Sequence, residues 1–144
     1  MSAGRPPLPT PNLAVLDPSV YIENFRTGRF RWALLRSPWI VGCSAVVLHE
    51  LCRAARTPLE LRFVGELARK VRILTPGERH WIRSAEILAR IGARKGYDAN
   101  KGRDLAFDTL IALSAGDSGA RLITCNRQDF AEIGKHLAFK VVFW

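Results

Sequence analysis

Cysteine is sparse in this 144-residue chain and follows no pattern: Cys43, Cys52 and Cys125 are odd in number and form no Cys-x-x-Cys pair. Neither a disulfide framework nor a zinc site is indicated, so reduced core thiols in the cytosol are expected. Long apolar runs are missing too. The longest uncharged one, from Ser37 to Leu48, falls short of the roughly 20 residues that span a membrane. The opening Met-Ser-Ala-Gly-Arg-Pro-Pro-Leu-Pro-Thr-Pro has no apolar core of a signal peptide. A soluble, cytoplasmic protein with no membrane partner is expected. Histidine is scarce as well, and His49, His80 and His136 show no catalytic pairing. Acid is the minority charge, with 13 Asp and Glu against 22 Lys and Arg.

What is present fits one compact domain. The hydrophobic fraction of 48% and charged fraction of 24% are ordinary for a globular protein. At this length a single core buries most of the unfolded surface. No internal repeat is visible. The formal charge is +9, and arginine supplies most of the positive side. Its rigid guanidinium fork suits phosphate, so a nucleic-acid partner is indicated. Net charge informs about partners and not about fold.

Prolines crowd Met1 to Asn12, which reads as a flexible leader to a single domain over 13–144. Leu13 to Leu16 is a buried-strand run that ends at Asp17-Pro18-Ser19, a strand-to-helix punctuation. Further strands are expected at Trp39–Val41, Val71–Leu74, Arg121–Thr124 and Phe139–Phe143. Helices are expected between them: Tyr21–Thr27, Arg29–Ser37, Ser44–Ala55, Pro58–Arg69, Pro76–Ala93, Asp104–Ser118 and Asn126–Ile133. Tyr97–Gly102 reads as a polar loop. Short apolar runs alternating with helices predict an α/β fold with a mainly parallel sheet of 4–5 strands. Ligands of such sheets bind at the carboxyl ends of the strands.

Against this basic background, three acids stand out. Asp17, Glu50 and Asp108 each lie in or against an apolar stretch: Leu13-Ala-Val-Leu-Asp17, Ser44-Ala-Val-Val-Leu-His-Glu50-Leu and Asp108-Thr-Leu-Ile-Ala-Leu. Carboxylates are costly beside a core unless a cation or donor meets them. A cluster of carboxylates is what Mg²⁺ or Mn²⁺ needs, being hard cations that prefer oxygen ligands. Each acid also has a plainer explanation. Asp17 could cap a helix, Glu50 could pair with Arg53 one turn on, and Asp108 could pair with a neighbouring arginine. Asp104 reads as a helix N-cap, and Asp98 and Asp117 as loop and helix-end polar groups.

Four segments resemble, in order and separation, the motifs of PIN-domain ribonucleases. Leu16-Asp17-Pro18-Ser19-Val20-Tyr21-Ile22 is similar to the first, and the Glu50 and Asp108 segments to the second and third. Leu122-Ile-Thr124-Cys-Asn126-Arg-Gln-Asp129-Phe130 is similar to the closing block. The resemblance is strongest to the VapC-type toxins of bacterial toxin–antitoxin pairs, and it implies a three-layer α/β/α fold. It also implies a Mg²⁺- or Mn²⁺-dependent endoribonuclease, usually a homodimer, inhibited by a cognate antitoxin. Asp17, Glu50 and Asp108 would then be the catalytic, metal-binding acids. Metal-activated water would attack phosphorus in line and leave a 5′-phosphate and a 3′-hydroxyl, with no histidine required.

Two positions depart from the pattern. Asn126 stands where many members carry a fourth acid, which leaves open whether one metal or two is held, with Asp129 a candidate substitute. Pro18 replaces a commoner small polar residue, while Ser19 keeps the following hydroxyl. Ser19 and Thr124 are candidates to orient Asp17. Arg26, Arg29 and Arg31 are candidates for RNA contact, while Arg83, Arg90 and Arg94 read as a solvated helix face. Trp32, Trp39 and Trp81 read as core or dimer packing. The competing expectation is a non-catalytic RNA-binding or antitoxin-binding PIN relative with an incomplete metal site. A flavodoxin-like phosphoacceptor is disfavoured by the scarcity of lysine.

Overall fold

A computed structural model describes residues 12–144; apart from Asn12, the expected leader lies outside the described residues. Strand β1 (Leu13–Leu16) is buried at every position. A parallel strand covered on both faces needs such an unbroken apolar run, whereas a half-exposed strand would alternate. β1 pairs with β2 (Ile40–Ser44) on one side and with β4 (Arg121–Thr124) on the other. β3 (Arg72–Leu74) joins beyond β2, and β5 (Lys140–Phe143) beyond β4. The order is β3-β2-β1-β4-β5, and every pairing is parallel, as the alternation of strands and helices predicts.

Helices flank this sheet. α1 (Pro18–Thr27) begins with proline at its first position and stops at Gly28, whose φ of 68° is the left-handed conformation that glycine adopts freely. α2 (Arg31–Arg36) is short and exposed. α3 (Ala45–Ala54) starts where Ser44 accepts the Val46 N–H. α4 (Pro58–Lys70) opens on a capping box between Thr57 and Glu60. α5 (Glu78–Lys95), α6 (Ala99–Asp117) and α7 (Arg127–Ile133) complete the chain. α6 is the most buried: Leu105 and every residue from Thr109 to Ala115 lie inside the protein. It packs with Ile87 and Ile91 of α5 and with Leu122, Ile123 and Phe130 in one core.

The structure corrects several sequence-based boundaries. β2 runs to Ser44, three residues beyond the expected Val41. α5 passes through Gly92 and stops at Gly96, where φ is 65°. α6 begins at Ala99, so most of the expected loop at Tyr97–Gly102 is its first turn. Asp98 is the cap, accepting the Lys101 N–H at 2.9 Å. Asp104, expected to be a cap, therefore lies inside the helix. A good N-cap contributes about 1 kcal/mol, which is enough to offset Gly102 in the next turn.

The chain leaves β1, builds outward to β2 and β3, then returns across the sheet to β4 and β5. The turn-back lies between β1 and β4, and a parallel sheet opens a crevice at the carboxyl ends of such a pair. Asp17 follows β1 directly, and its N–H donates to the Ile123 carbonyl of β4 at 2.9 Å. Cys125 and Asn126 follow β4. The fold thus brings the first and last motifs to one edge although more than a hundred residues separate them.

Candidate active site

Asp17 occupies the centre of that edge and is 4% exposed. It caps α1, and its Oδ2 accepts three donors: the Ser19 N–H at 3.2 Å, Ser19 Oγ at 2.6 Å and Thr124 Oγ1 at 3.1 Å. Ser19 Oγ also accepts the Cys125 N–H at 3.1 Å, and Thr124 Oγ1 accepts the Asn126 N–H at 2.9 Å. The two hydroxyls thus tie β1 to the turn after β4 while they aim the carboxylate. Their hydrogen bonds favour the charged form, yet burial outweighs them and holds the Asp17 carboxyl above its ordinary value. Asp17 thus caps α1, as one reading of the sequence expects, and both Ser19 and Thr124 hydrogen-bond to it.

Glu50 comes from the second turn of α3 and Asp108 from the middle of α6; both are half-buried. Burial, followed by the Asp17 charge, pushes the Glu50 carboxyl up to about 7, with Arg53 opposing and Asp104 adding to the rise. Burial also pushes the Asp108 carboxyl up, to about 8, together with the charges of Asp17, Glu50 and Asp129, while Lys101 opposes. Three elements therefore bring acids into one another's field, and the field is unfavourable to their common ionisation. Among the described residues, no group of three or more His, Cys, Asp or Glu is drawn together closely enough to hold a metal ion. The carboxylates are neighbours in charge without converging on a single point. As a donor set they suit a divalent cation, because all are hard oxygen ligands whose mutual repulsion a cation relieves.

Asp129, in the first turn of α7, adds a fourth carboxylate to this field. Its Oδ1 accepts Lys101 Nζ at 2.7 Å and its Oδ2 accepts Asn126 Nδ2 at 3.1 Å. Asn126 caps α7, accepting the Asp129 N–H at 3.3 Å. Sequence reading missed Lys101. The available signal was its spacing of seven residues from Asp108, two turns along one helix face, which was hidden by starting α6 at Asp104.

The arginines expected at the substrate are exposed. Arg29 lies over the Phe30 ring at 4.9 Å, and its charge reaches the Cys125 thiol beside Ser19. Arg26 instead borders a groove of about 320 Å³ between α1, α3 and α4, with Ile22, Phe25, Leu51 and Arg53. Arg31 opens α2. His49 and His80 are occupied elsewhere. His49 stands edge-on to Phe107 with ring centroids 5.7 Å apart, and His80 bridges the Gly77 N–H and Asp117. Trp39 packs 6.5 Å from Trp144, whereas Trp32 and Trp81 are more than half exposed and do not enter the core.

No helix among the described residues is long and apolar enough to cross a membrane. No curated protein matches the chain. Among solved structures, the DNA-bound VapBC of Salmonella typhimurium is similar at 23% identity and a TM-score of 0.63, covering 92% of this chain and 98% of that one. VapBC-1 of nontypeable Haemophilus influenzae gives 20% identity and a TM-score of 0.63 at the same coverages. VapBC-5 of Mycobacterium tuberculosis, described as a member of the VapBC family of toxin–antitoxin systems, gives 22% and 0.59, covering 93% and 100%. Likeness at this level of identity establishes a common fold. The PIN domain family itself matches residues 14–136, nearly the whole described chain. With that match and a five-stranded parallel sheet, the chain belongs to the PIN domain family.

Proposed function

We propose that this protein is a Mg²⁺- or Mn²⁺-dependent endoribonuclease and the toxin of a toxin–antitoxin pair. The observation that carries the reading is the buried Asp17 carboxylate, held by Ser19 and Thr124 just beyond the carboxyl end of β1, with its charge reaching Glu50 and Asp108. Buried acids that raise one another's pKa are characteristic of functional sites. Asp17, Glu50 and Asp108 would hold the ion. When bound, a divalent ion lowers the pKa of an attacking water and offsets charge on the phosphate oxygens. Ser19 and Thr124 keep Asp17 fixed for that task, so its carboxylate reorganises little as charge develops. The +9 chain draws the RNA backbone in, with Arg26, Arg29 and Arg31 as its contacts and the Arg29 charge reaching Cys125 beside Ser19.

An antitoxin is proposed as the protein partner because the similar solved structures include toxin–antitoxin assemblies, one of them a toxin–antitoxin complex from Klebsiella pneumoniae. A homodimer and a cytoplasmic location belong to the same proposal. The test is cleavage of a panel of cellular RNAs by the purified chain. Cleavage is expected in Mg²⁺ or Mn²⁺, with its loss in EDTA and its loss in Asp17→Asn. A second reading, a non-catalytic RNA-binding or antitoxin-binding relative, is favoured by one observation: both oxygens of Asp129 are already engaged. Metal-replete, antitoxin-free protein that binds RNA and cuts none of the panel would establish it.

A further inference from the structure

We propose that the aromatic pocket framed by Trp81, Phe107 and His49 seats one unstacked base of single-stranded RNA. This inference deepens the endoribonuclease reading above and rests on it for the class of substrate.

The pocket has a volume of about 320 Å³ and is walled by Val46 and His49 of α3, Pro76, Trp81 of α5 and Phe107 of α6. Ligand clefts run from roughly 300 to 1,000 Å³ and combine an apolar, aromatic wall with a few polar groups, so this one suits a single planar ring system. Trp81 is 53% exposed and keeps surface for another ring to cover. Phe107 stands edge-on to His49, which holds the two rings in place. Neither His49 ring nitrogen makes a hydrogen bond among the described residues. A neutral imidazole offers one donor and one acceptor, and the edge of a base carries partners for both. A base asks for this combination: a flat apolar face to stack on and a polar group to meet its edge.

Position ties the pocket to the same edge of the sheet as Asp17. Its lining includes Ala45, which follows β2, and Thr75, which follows β3, so it lies at the carboxyl ends of those strands. On α3 His49 directly precedes Glu50, and on α6 Phe107 directly precedes Asp108. Consecutive helix positions are turned by about 100°, so the pocket lies beside the two acids and not over them. Arg53 serves both. Its charge acts on Glu50 one turn earlier, and its guanidinium lies 5.8 Å from the Phe107 ring centroid. Being exposed, it meets the phosphate that joins a seated base to its neighbour. Charge also selects the occupant: a second copy of a +9 chain is repelled, whereas an RNA backbone is attracted. In a duplex both faces of a base are already stacked, so an unpaired base is the one that enters.

Binding of fluorescein-labelled RNA to the full chain in EDTA tests this without calling on cleavage. Anisotropy is read for a mixed-sequence single-stranded hexamer and for a short RNA duplex. Trp81→Leu keeps apolar bulk and removes the ring, and is expected to weaken hexamer binding about tenfold while duplex binding stays unchanged. Trp81→Phe restores a ring and is expected to recover most of the loss. Circular dichroism monitors the fold, and His49→Ala is read against the same outcomes if Trp81→Leu does not fold. No hexamer binding by the wild type, unchanged hexamer binding in Trp81→Leu, or an equal loss for hexamer and duplex would overturn the inference. A shift from dimer to monomer in sedimentation, with hexamer affinity per chain unchanged, would overturn it too and assign the pocket to a second copy. A wild type that cuts RNA in Mn²⁺ while Trp81→Leu binds the hexamer as tightly sinks the pocket alone. Ring-dependent binding by a wild type that cuts no RNA keeps the pocket and sinks the nuclease reading.

Discussion

Replacing Asp108 with asparagine removes a titrating carboxyl while leaving its size unchanged, and the metal-free protein is expected to respond through its stability. In the folded state Asp108 is raised from 3.8 to about 8 and Glu50 from 4.5 to about 7. A raised acid holds its proton more tightly folded than unfolded, so unfolding releases protons between the two values. These groups impose no penalty below about pH 4, where both states are protonated. The penalty grows as pH rises and levels off about one unit above the higher of the two values. Each tenfold change in proton affinity corresponds to about 1.4 kcal/mol. The two groups share part of the same repulsion and solvent screens the partly exposed Glu50, so the loss between pH 5.5 and 8.5 is on the order of 3 kcal/mol for the site. At about 3 °C per kcal/mol for a domain of this size, Tm in EDTA falls by roughly 10 °C over that interval.

Asp108→Asn is expected to lose less than half as much, because the substitution also removes a charge that faces Asp17 and Glu50. Added Mn²⁺ is expected to raise Tm of the wild type far more at pH 8.5 than at pH 5.5, since it favours the ionised acids. Differential scanning fluorimetry of both proteins at the two pH values gives the comparison. Identical pH profiles for wild type and Asp108→Asn would refute the claim that these acids are forced together by the fold.

Two further outcomes test the supporting structure. Asp98→Ala removes the cap of α6 and is expected to lower stability by about 1 kcal/mol, read as a Tm drop of roughly 3 °C; no change would contradict a helix start at Ala99. Thr124→Val leaves the partly buried Asn126 N–H and one Asp17 contact unmet, an expected cost of about 1–3 kcal/mol. The same variant is expected to lower RNA cleavage in Mn²⁺ at least tenfold with little change in RNA affinity. Equal losses of cleavage and affinity would show that Thr124 supports RNA binding and not Asp17.

The sheet was legible because parallel strands covered on both faces leave unbroken apolar runs, as Leu13–Leu16 does. Asp17, Glu50 and Asp108 stood out because acids beside such runs need a reason. Helix starts were harder. Asp98 and Asp104 are both acids ahead of an apolar helix, and Gly102 between them favoured the later start. Only the three-dimensional path shows Asp98 taking the Lys101 N–H. That one misplaced boundary concealed Lys101, since a residue assigned to a loop has no helix face. The fate of Asn126 and Asp129 was equally out of reach of spacing alone, because it depends on which side-chain atom meets which oxygen. Exposed tryptophans 32 and 81 show the opposite limit: composition assigns large aromatics to packing without saying whether a partner covers them.

The central claim is that the gathered acids cut RNA with a bound divalent ion, and cleavage by Asp17→Asn tests it most directly. The substitution preserves the capping oxygen and the fold while removing the charge at the centre of the site. With wild type and variant matched for Tm, RNA affinity and Mn²⁺ concentration, wild-type cleavage and a loss of at least a hundredfold in Asp17→Asn are expected. Equal cleavage by the two proteins, or none by either, would contradict the account.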